Sequence, residues 1–290
     1  MVKQAVTMLR SPFEGHLRHL FKQARDNVMV VSPFVTQYGL DVLEESLGGD
    51  AQARGLTIMT NITANTVQHG ALDLRSLAAF STSKSACRVH NLPGLHAKIY
   101  VVDETTAIVT SANLTRGGLT ANYEYGALVR DKASARQICT DMLDYADLGA
   151  EVSASDLARL AALAEALHDA ADGAEKEVRR SAPWRKFSKE VDHLKDELLR
   201  QRVRHKSVNS IFADTVRYLL RFQAMTTPEL EAHVQAIHPD MCDDSIDRVI
   251  DGMRFGKKWK HMVRNTQQFL KKRGEITLRD GRWHLASESH

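Results

Sequence analysis

The chain has 290 residues, enough for two modest domains that each bury a core, and its 43% hydrophobic and 26% charged content is an ordinary globular mixture. Three cysteines, Cys87, Cys139 and Cys242, stand far apart with no CxxC pair, which argues against a zinc knuckle or a disulfide framework and for a reducing compartment. No apolar run approaches a membrane span, and the opening MVKQAVTMLRSPFEGHL lacks the apolar stretch of a signal peptide, so a soluble, cytoplasmic protein is expected.

The first half alternates helix and strand. Phe13, Leu17, Leu20, Phe21 and Ala24 recur at helical spacing. Asn27 to Ser32 reads as a buried strand ended by Pro33, Leu40 to Leu47 as a helix closed by Gly48-Gly49, and Gly55 to Thr60 as a second strand. Ala71 to Phe80 reads as a helix and Cys87 to His90 as a third strand. Tyr125 to Arg130 and a helix from Ser134 to Tyr145 complete the pattern. Short apolar strands separated by helices imply a sheet covered on both faces.

The stretch Leu95 to Glu124 holds the chemistry. His96 to Val102 reads as one strand and Ala107 to Val109 as the next. Residues two apart share a face of a strand, so His96 and Lys98 project together, as do Ser111 and Asn113. An imidazole, an ammonium, a hydroxyl and a carboxamide at one rim suit a phosphodiester: a nucleophile or proton carrier, a cation for the non-bridging oxygens, and neutral donors.

The spacing is H-x-K, four residues, Asp103, six residues, then Thr110-Ser111-Ala112-Asn113, with Glu124 beyond. It resembles the phospholipase D superfamily motif H-x-K-x4-D-x6-G-[GS]-x-N, which His96, Lys98, Asp103, Ser111 and Asn113 fit. The resemblance is nearest to the small bacterial nucleases and the type IIS restriction endonuclease that carry one motif per chain and a Glu at about the spacing of Glu124. It covers roughly the first half of the chain. It implies a mixed sheet sandwiched by helices, and it implies that Glu124 accepts a hydrogen bond from the second nitrogen of His96. Asp103 is expected to support the motif rather than touch substrate. Thr110 stands where the family has Gly, and a β-branched residue there predicts a differently shaped loop before Ser111.

In-line displacement at phosphorus needs a nucleophile on one side and an acid on the other, and one imidazole cannot occupy both. A single motif per chain therefore predicts a homodimer through the catalytic domain, with one His96 attacking and the other protonating the leaving oxygen. Lys98 and Asn113 are expected to hold the non-bridging oxygens, with Ser111 assisting. Lysine supplies the positive charge and no carboxylate cluster lies near the motif, so no metal or other cofactor is expected. His90 and His96 flank Pro93-Gly94, but no further ligand sits at metal-binding spacing.

From Glu151 to Ala171, Leu157, Leu160, Ala164 and Leu167 mark a helical stripe, interrupted by Gly173 and Pro183. A second helix, Trp184 to Val203, carries Phe187, Val191, Leu194 and Leu198 on one face; it reads equally as packing on its own domain or as an arm or dimer contact. Then Ile211 to Phe222 reads as a helix. Thr227-Pro228-Glu229 opens another, with Thr227 as the capping hydroxyl. Ser245 to Met253 reads as a helix, as does Trp259 to Lys272. Asp280-Gly281 sits between two short strands as a hairpin turn. Helices followed by a helix and a hairpin resemble the winged helix-turn-helix class over Ser207 to Ala286. The domains are expected at 1–148 (catalytic), 149–206 (helical linker or arm) and 207–290 (winged helix).

Residues 1–180 hold 18 Lys and Arg against 21 Asp and Glu, whereas residues 181–290 hold 21 against 15. Between Gly252 and Gly274 the bases Arg254, Lys257, Lys258, Lys260, Arg264, Lys271, Lys272 and Arg273 meet no acid, and Arg279 and Arg282 flank the hairpin tip. A helix and wing of one sign match a nucleic-acid duplex, and Asn265, Gln267 and Gln268 are candidates for base readout. The leading expectation is a DNA endonuclease, with RNA left open as a substrate. The alternative is a DNA-binding regulator or assembly subunit that keeps the catalytic fold unused. By resemblance, a nuclease with its own DNA-binding domain suggests restriction or phage defence, with defence-system proteins as partners; nothing anchors it to a membrane.

Overall fold

The computed structural model describes residues 5–48, 55–84, 86–174, 182–204, 206–250 and 252–286. It divides into two units, Met1–Gln201 and Arg202–His290. The first runs β1 (Val6–Arg10), α1 (Glu14–Phe21), β2 (Asn27–Val31), α2 (Gln37–Leu47), β3 (Gly55–Thr60), α3 (Ala64–Gln68), α4 (Leu74–Ser83), β4 (Cys87–Asn91), β5 (Ile99–Val102), β6 (Thr106–Thr110), β7 (Tyr125–Val129), α5 (Lys132–Leu148), β8 (Ala150–Val152), α6 (Ala154–Ala174) and α7 (Ala182–Arg202).

Its strands form one mixed sheet in the order β1-β7-β6-β5-β2-β3-β4-β8. β2, β3 and β4 are parallel and the remaining pairs antiparallel. The central strands are buried along nearly their whole length, which explains why they read as continuous apolar runs. Val28, Val30, Tyr100, Val102 and Ile108 share a core with Leu17, Leu20 and Phe21 of α1 and Leu40 and Leu43 of α2. The alternate residues Met29 and Val101 instead line a cavity with Cys139 and Leu143 of α5, so α5 lies on the opposite face. Helices on both faces of a mixed sheet are the expected architecture.

The edge strands β1 and β8 are additions: each is short and buries a single residue, so neither leaves the continuous apolar run of a central strand. The helix expected over 71–80 is α4, shifted to Leu74–Ser83 and capped by Asp73, and a further short helix not anticipated, α3, precedes it with Thr63 as its cap. Gly48 follows α2 at φ +70°, and Gly49 lies outside the described residues. Of the two readings of the segment after 148, packing on its own domain is the one the core supports. Leu157, Leu160, Ala161 and Leu167 of α6 and Phe187, Leu194 and Leu198 of α7 all join the first core, and β8 pairs with β4. Apolar stripes on both helices drive this packing, so the first unit extends to Gln201 rather than stopping at 148.

The second unit contains α8 (Val208–Leu220), α9 (Thr227–Ile237), β9 (Asp247–Ile250), β10 (Met253–Lys257), α10 (Lys258–Lys272), β11 (Ile276–Arg279) and β12 (Arg282–Leu285). Phe212, Val216, Leu230, Val234, Trp259, Val263, Leu270 and Trp283 build its separate core. The hairpin β11–β12 forms as expected, with Asp280 and Gly281 at positive φ of 50° and 76°. Two expectations are corrected. Thr226, not Thr227, caps α9, in a capping box with Glu229, while the Thr227 hydroxyl accepts the Trp283 indole N–H at 2.9 Å. The helix expected over 245–253 is the hairpin β9–β10. Val249 and Ile250 favour strand, and Gly252 and Gly256, at φ +80° and +85°, cannot continue a helix.

Candidate active site

β5 begins where β2 ends, in the register Val31↔Ile99, and β6 ends beside it, with Thr110 N–H donating to the Lys98 carbonyl at 3.0 Å. β7 starts at the same end, in the register Thr110↔Gly126. The residues just outside these strand ends, His96 and Lys98, Ser111 to Asn113, and Glu124, therefore gather at one end of the sheet. His96 and Lys98 precede β5, whose pairing with β2 stops at Val31↔Ile99, so at Lys98 only the bond from Thr110 of β6 remains.

Lys98 is 7% exposed, while His96 beside it is exposed. The Lys98 ammonium donates to the His96 carbonyl at 2.8 Å and lies 3.2 and 3.3 Å from the two ring nitrogens. Burial pulls the Lys98 pKa down, and the nearby Glu124 carboxylate partly opposes that pull. A cation and an imidazole thus share one pocket, which fits charge stabilisation next to a nucleophile.

Glu124 is bracketed by three neighbours. Ser111 donates its hydroxyl to the carboxylate, and Asn122 Nδ2 donates to Oε1 at 3.2 Å. The Glu124 backbone N–H donates to Ser11 Oγ, and the Ser11 N–H returns a bond to the Glu124 carbonyl at 3.1 Å. In this chain Glu124 is bonded to Ser111 and Asn122 rather than to His96. Ser11, 113 residues upstream, could not be found by motif spacing.

The loop after β6 is held from below. The buried Tyr100 hydroxyl donates to the Ala112 carbonyl at 2.9 Å, and Ser32 Oγ accepts from Leu114 N–H at 3.0 Å. A Cβ on Gly118 would stand 2.5 Å from the Asn113 carbonyl oxygen, so only glycine fits behind Asn113. The Asn113 Oδ1 is buried without a partner, a condition that concentrates at working sites. Thr110 is accommodated across the ladder: a Cβ on Gly126 would lie 2.7 Å from Thr110 Cβ. The glycine absent at 110 is thus compensated by one at 126. The Thr110 hydroxyl also bonds Tyr125 O and Ala112 N–H, both at 3.1 Å.

Asp103 lies at the far end of the sheet. Its carboxylate accepts the N–H groups of Arg25, Asp26 and Asn27, each at 2.9 Å, tying the β5–β6 turn to the start of β2. Desolvation pushes its pKa up, but the three N–H donors outweigh it and the net shift is downward. Its bonds are to backbone, at the end of the sheet opposite His96 and Lys98. Among the described residues no group of three or more His, Cys, Asp and Glu could hold a metal ion. His90 is half-buried, its Nε2 lacks a partner, and burial lowers its pKa.

The basic residues of the second unit are less uniform than their sequence. Arg264 and Lys260 approach Glu231 at 2.9 and 3.6 Å, Lys257 and Arg254 approach Asp247 at 2.9 and 3.4 Å, and Arg282 approaches Glu229 at 3.1 Å. Lys258, Lys271, Lys272 and Arg279 are exposed and have no carboxylate partner among the described residues. Asn265 and Gln268 are exposed on α10, but Gln267 is buried against Thr227, which removes it from base readout.

Residues 17–144 match the family model described as "Cardiolipin synthase, PLD-like domain". That match lies wholly within the first unit and spans strands β2 to β7 and the His96–Lys98 motif, which supports a phospholipase D-like domain there. Among solved structures, the chain is similar to the phospholipase D family member Nuc from Salmonella typhimurium, at 16% identity over 51% of this chain and 97% of that one, with a TM-score of 0.42. NucT from Helicobacter pylori matches at 14% identity over 48% and 94%, with a TM-score of 0.40. Phosphatidylserine synthase from Haemophilus influenzae matches at 15% over 49% and 36%, with a TM-score of 0.41. No curated protein sequence matches the chain. No helix among the described residues is long and apolar enough to cross a membrane.

Proposed function

We propose that the protein is a metal-independent DNA endonuclease, with a phosphohistidine intermediate formed on His96. The observation that carries the reading is the buried Lys98 ammonium set against the exposed His96 ring, with Ser111, Asn113 and Glu124 at the same sheet end. A ring nitrogen of His96 attacks phosphorus, the bond to the leaving oxygen breaks, and that oxygen takes a proton from His96 of the partner subunit. Water then displaces the histidine, with the partner's His96 as base. Lys98 and Asn113 stabilise the non-bridging oxygens. The Ser111–Glu124 bond fixes the serine in place beside them.

Two further features support parts of this reading. On the sheet face away from α1, Met8, Val109 and Tyr125 are exposed towards the site end and Val6 continues the patch away from it, with Met8 at 55% and Tyr125 at 51%, and they suit a twofold contact that would bring two sites together. In the second unit, α8, α9 and α10 precede the β11–β12 hairpin, and Met225 bridges to Trp283 of β12 as a third short strand. Apart from the β9–β10 hairpin between α9 and α10, that order resembles a winged helix, in which α10 would be the reader and β11–β12 the wing. By resemblance, a nuclease joined to a DNA reader suggests a role in restriction or phage defence.

Plasmid incubated in excess EDTA tests the reading. Wild type should nick or linearise it, and His96→Ala should not. Intact plasmid with wild type, or cleavage that appears only on adding magnesium, would contradict the proposal and favour an unused fold.

A further inference from the structure

One cation beside the site takes no part in the chemistry above. Arg116 is exposed, and its guanidinium carbon lies 4.3 Å from the centre of the Tyr38 ring. It makes no ion pair among the described residues. Tyr38 is itself fixed. Its hydroxyl donates to Glu14 Oε2 at 2.5 Å, and Arg18 Nε donates to Oε1 of the same carboxylate at 2.8 Å. The ring is therefore a rigid shelf, and Arg116 stacks on it with its charge open to solvent.

This shelf is built into the site. Arg116 lies three residues beyond Asn113, which limits their Cα separation to about 11 Å. The intervening turn is tight, with Thr115 N–H bonded to the Asn113 carbonyl at 2.8 Å. α2, which carries Tyr38 in its first turn, is pressed on the same loop: Thr36 N–H donates to the Leu114 carbonyl at 3.1 Å, and a Cβ on Gly39 would stand 2.1 Å from that oxygen. Thr36 makes no side-chain cap and the first turn of α2 holds no acid; the nearby Glu14 carboxylate, which also attracts Arg116, is already held by the Tyr38 hydroxyl and Arg18.

We propose that Arg116 on its Tyr38 shelf is a subsite for a second phosphate of a polynucleotide strand. A cation this close to Asn113 stands within reach of a phosphate neighbouring the scissile one on the same strand. A small phosphodiester with one phosphate would not use the subsite. The inference rests on the polynucleotide reading of the site, and its test separates the two.

Wild type, Arg116→Ala, Arg116→Lys and Tyr38→Leu are assayed on bis(4-nitrophenyl) phosphate and on a short single-stranded oligonucleotide. Arg116→Ala should raise KM for the oligonucleotide by about tenfold or more, with kcat nearly unchanged, and leave the small substrate unaffected. Arg116→Lys should recover part of the loss, and Tyr38→Leu should share it. A methylphosphonate at one position near the cut should weaken binding to wild type and make no difference to Arg116→Ala. Unchanged KM in Arg116→Ala, or equal losses on both substrates, would overturn the subsite. Should wild type cleave neither substrate, the nuclease reading falls. Oligonucleotide binding by anisotropy then still decides: weaker binding by Arg116→Ala upholds the subsite, and equal binding overturns it.

Discussion

The site end of the large sheet and the basic face of the second unit both attract attention through positive charge, yet they hold it differently. Lys98 is buried, bonded to the carbonyl of its own motif histidine and fixed by strand ends on both sides. On the second unit, Glu231 and Asp247 each hold two bases, and the charges left over stand on flexible, exposed stems. A single preorganised cation can stabilise a transition state, because its neighbours were arranged during folding. Scattered exposed cations give affinity that adds phosphate by phosphate and fades with salt.

The sharpest way to break this contrast is at the motif. His96→Ala should lower cleavage by about a thousandfold or more, since no other described side chain stands in its place. Lys98→Met should cost about a hundredfold or more in kcat, comparable to losing one strong charge donor. It should not cost fold stability, because the substitution removes a buried charge whose protonated form burial disfavours. The lowered Lys98 pKa also sets a pH limb. Activity should be present while Lys98 is charged and fall as pH rises through a pKa below the free-lysine value. Lys98→Arg, which stays charged, should move that limb to higher pH in whatever activity it retains.

Next in size is the division of labour between the units. A chain ending at Gln201 should keep its activity on a small phosphodiester and lose duplex affinity by about tenfold or more. The boundary matters. Truncation at 148 would strip α6 and α7 from the first core and should unfold it, which thermal melting would show.

Asp103 offers a stability test away from the chemistry. Its folded-state pKa is depressed, so its contribution is full above the unfolded carboxylate value near 3.9 and is lost as pH falls through the lower folded value. Asp103→Ala should destabilise by about 1–3 kcal/mol and remove that acid-dependent limb. The smallest effects belong to single bases of the second unit. Charge reversal at Lys258, Lys271 or Lys272 should flatten the log–log salt dependence of duplex binding by about one unit each. Reversal at Arg264 or Lys257 should do less, since each already faces a carboxylate. Equal effects at paired and unpaired positions would remove the distinction.

What could be read from the residues follows the same physics. Strands β2, β3 and β5 and the His96–Lys98 pair were legible because burial on two faces and a fixed spacing leave a local imprint. Ser11, Ser32, Tyr100 and Gly118 were not, since their roles depend on contacts made across the fold. The two Asp-Gly pairs make the point within one unit. Asp280-Gly281 between short strands read as a hairpin. Asp251-Gly252 carries the same signal between Val249-Ile250 and Met253, in a stretch expected as a helix over Ser245 to Met253. Positive φ at Gly252 and Gly256 decides the matter.

The central claim is that His96 becomes covalently bonded to phosphorus. Wild type quenched in denaturant during turnover of an oligonucleotide radiolabelled at the scissile phosphate should carry label on the protein. That label should be stable to alkali, released by acid, and absent from His96→Ala. Label on His96→Ala, label that survives acid, or none on a wild type that is turning over would contradict the account.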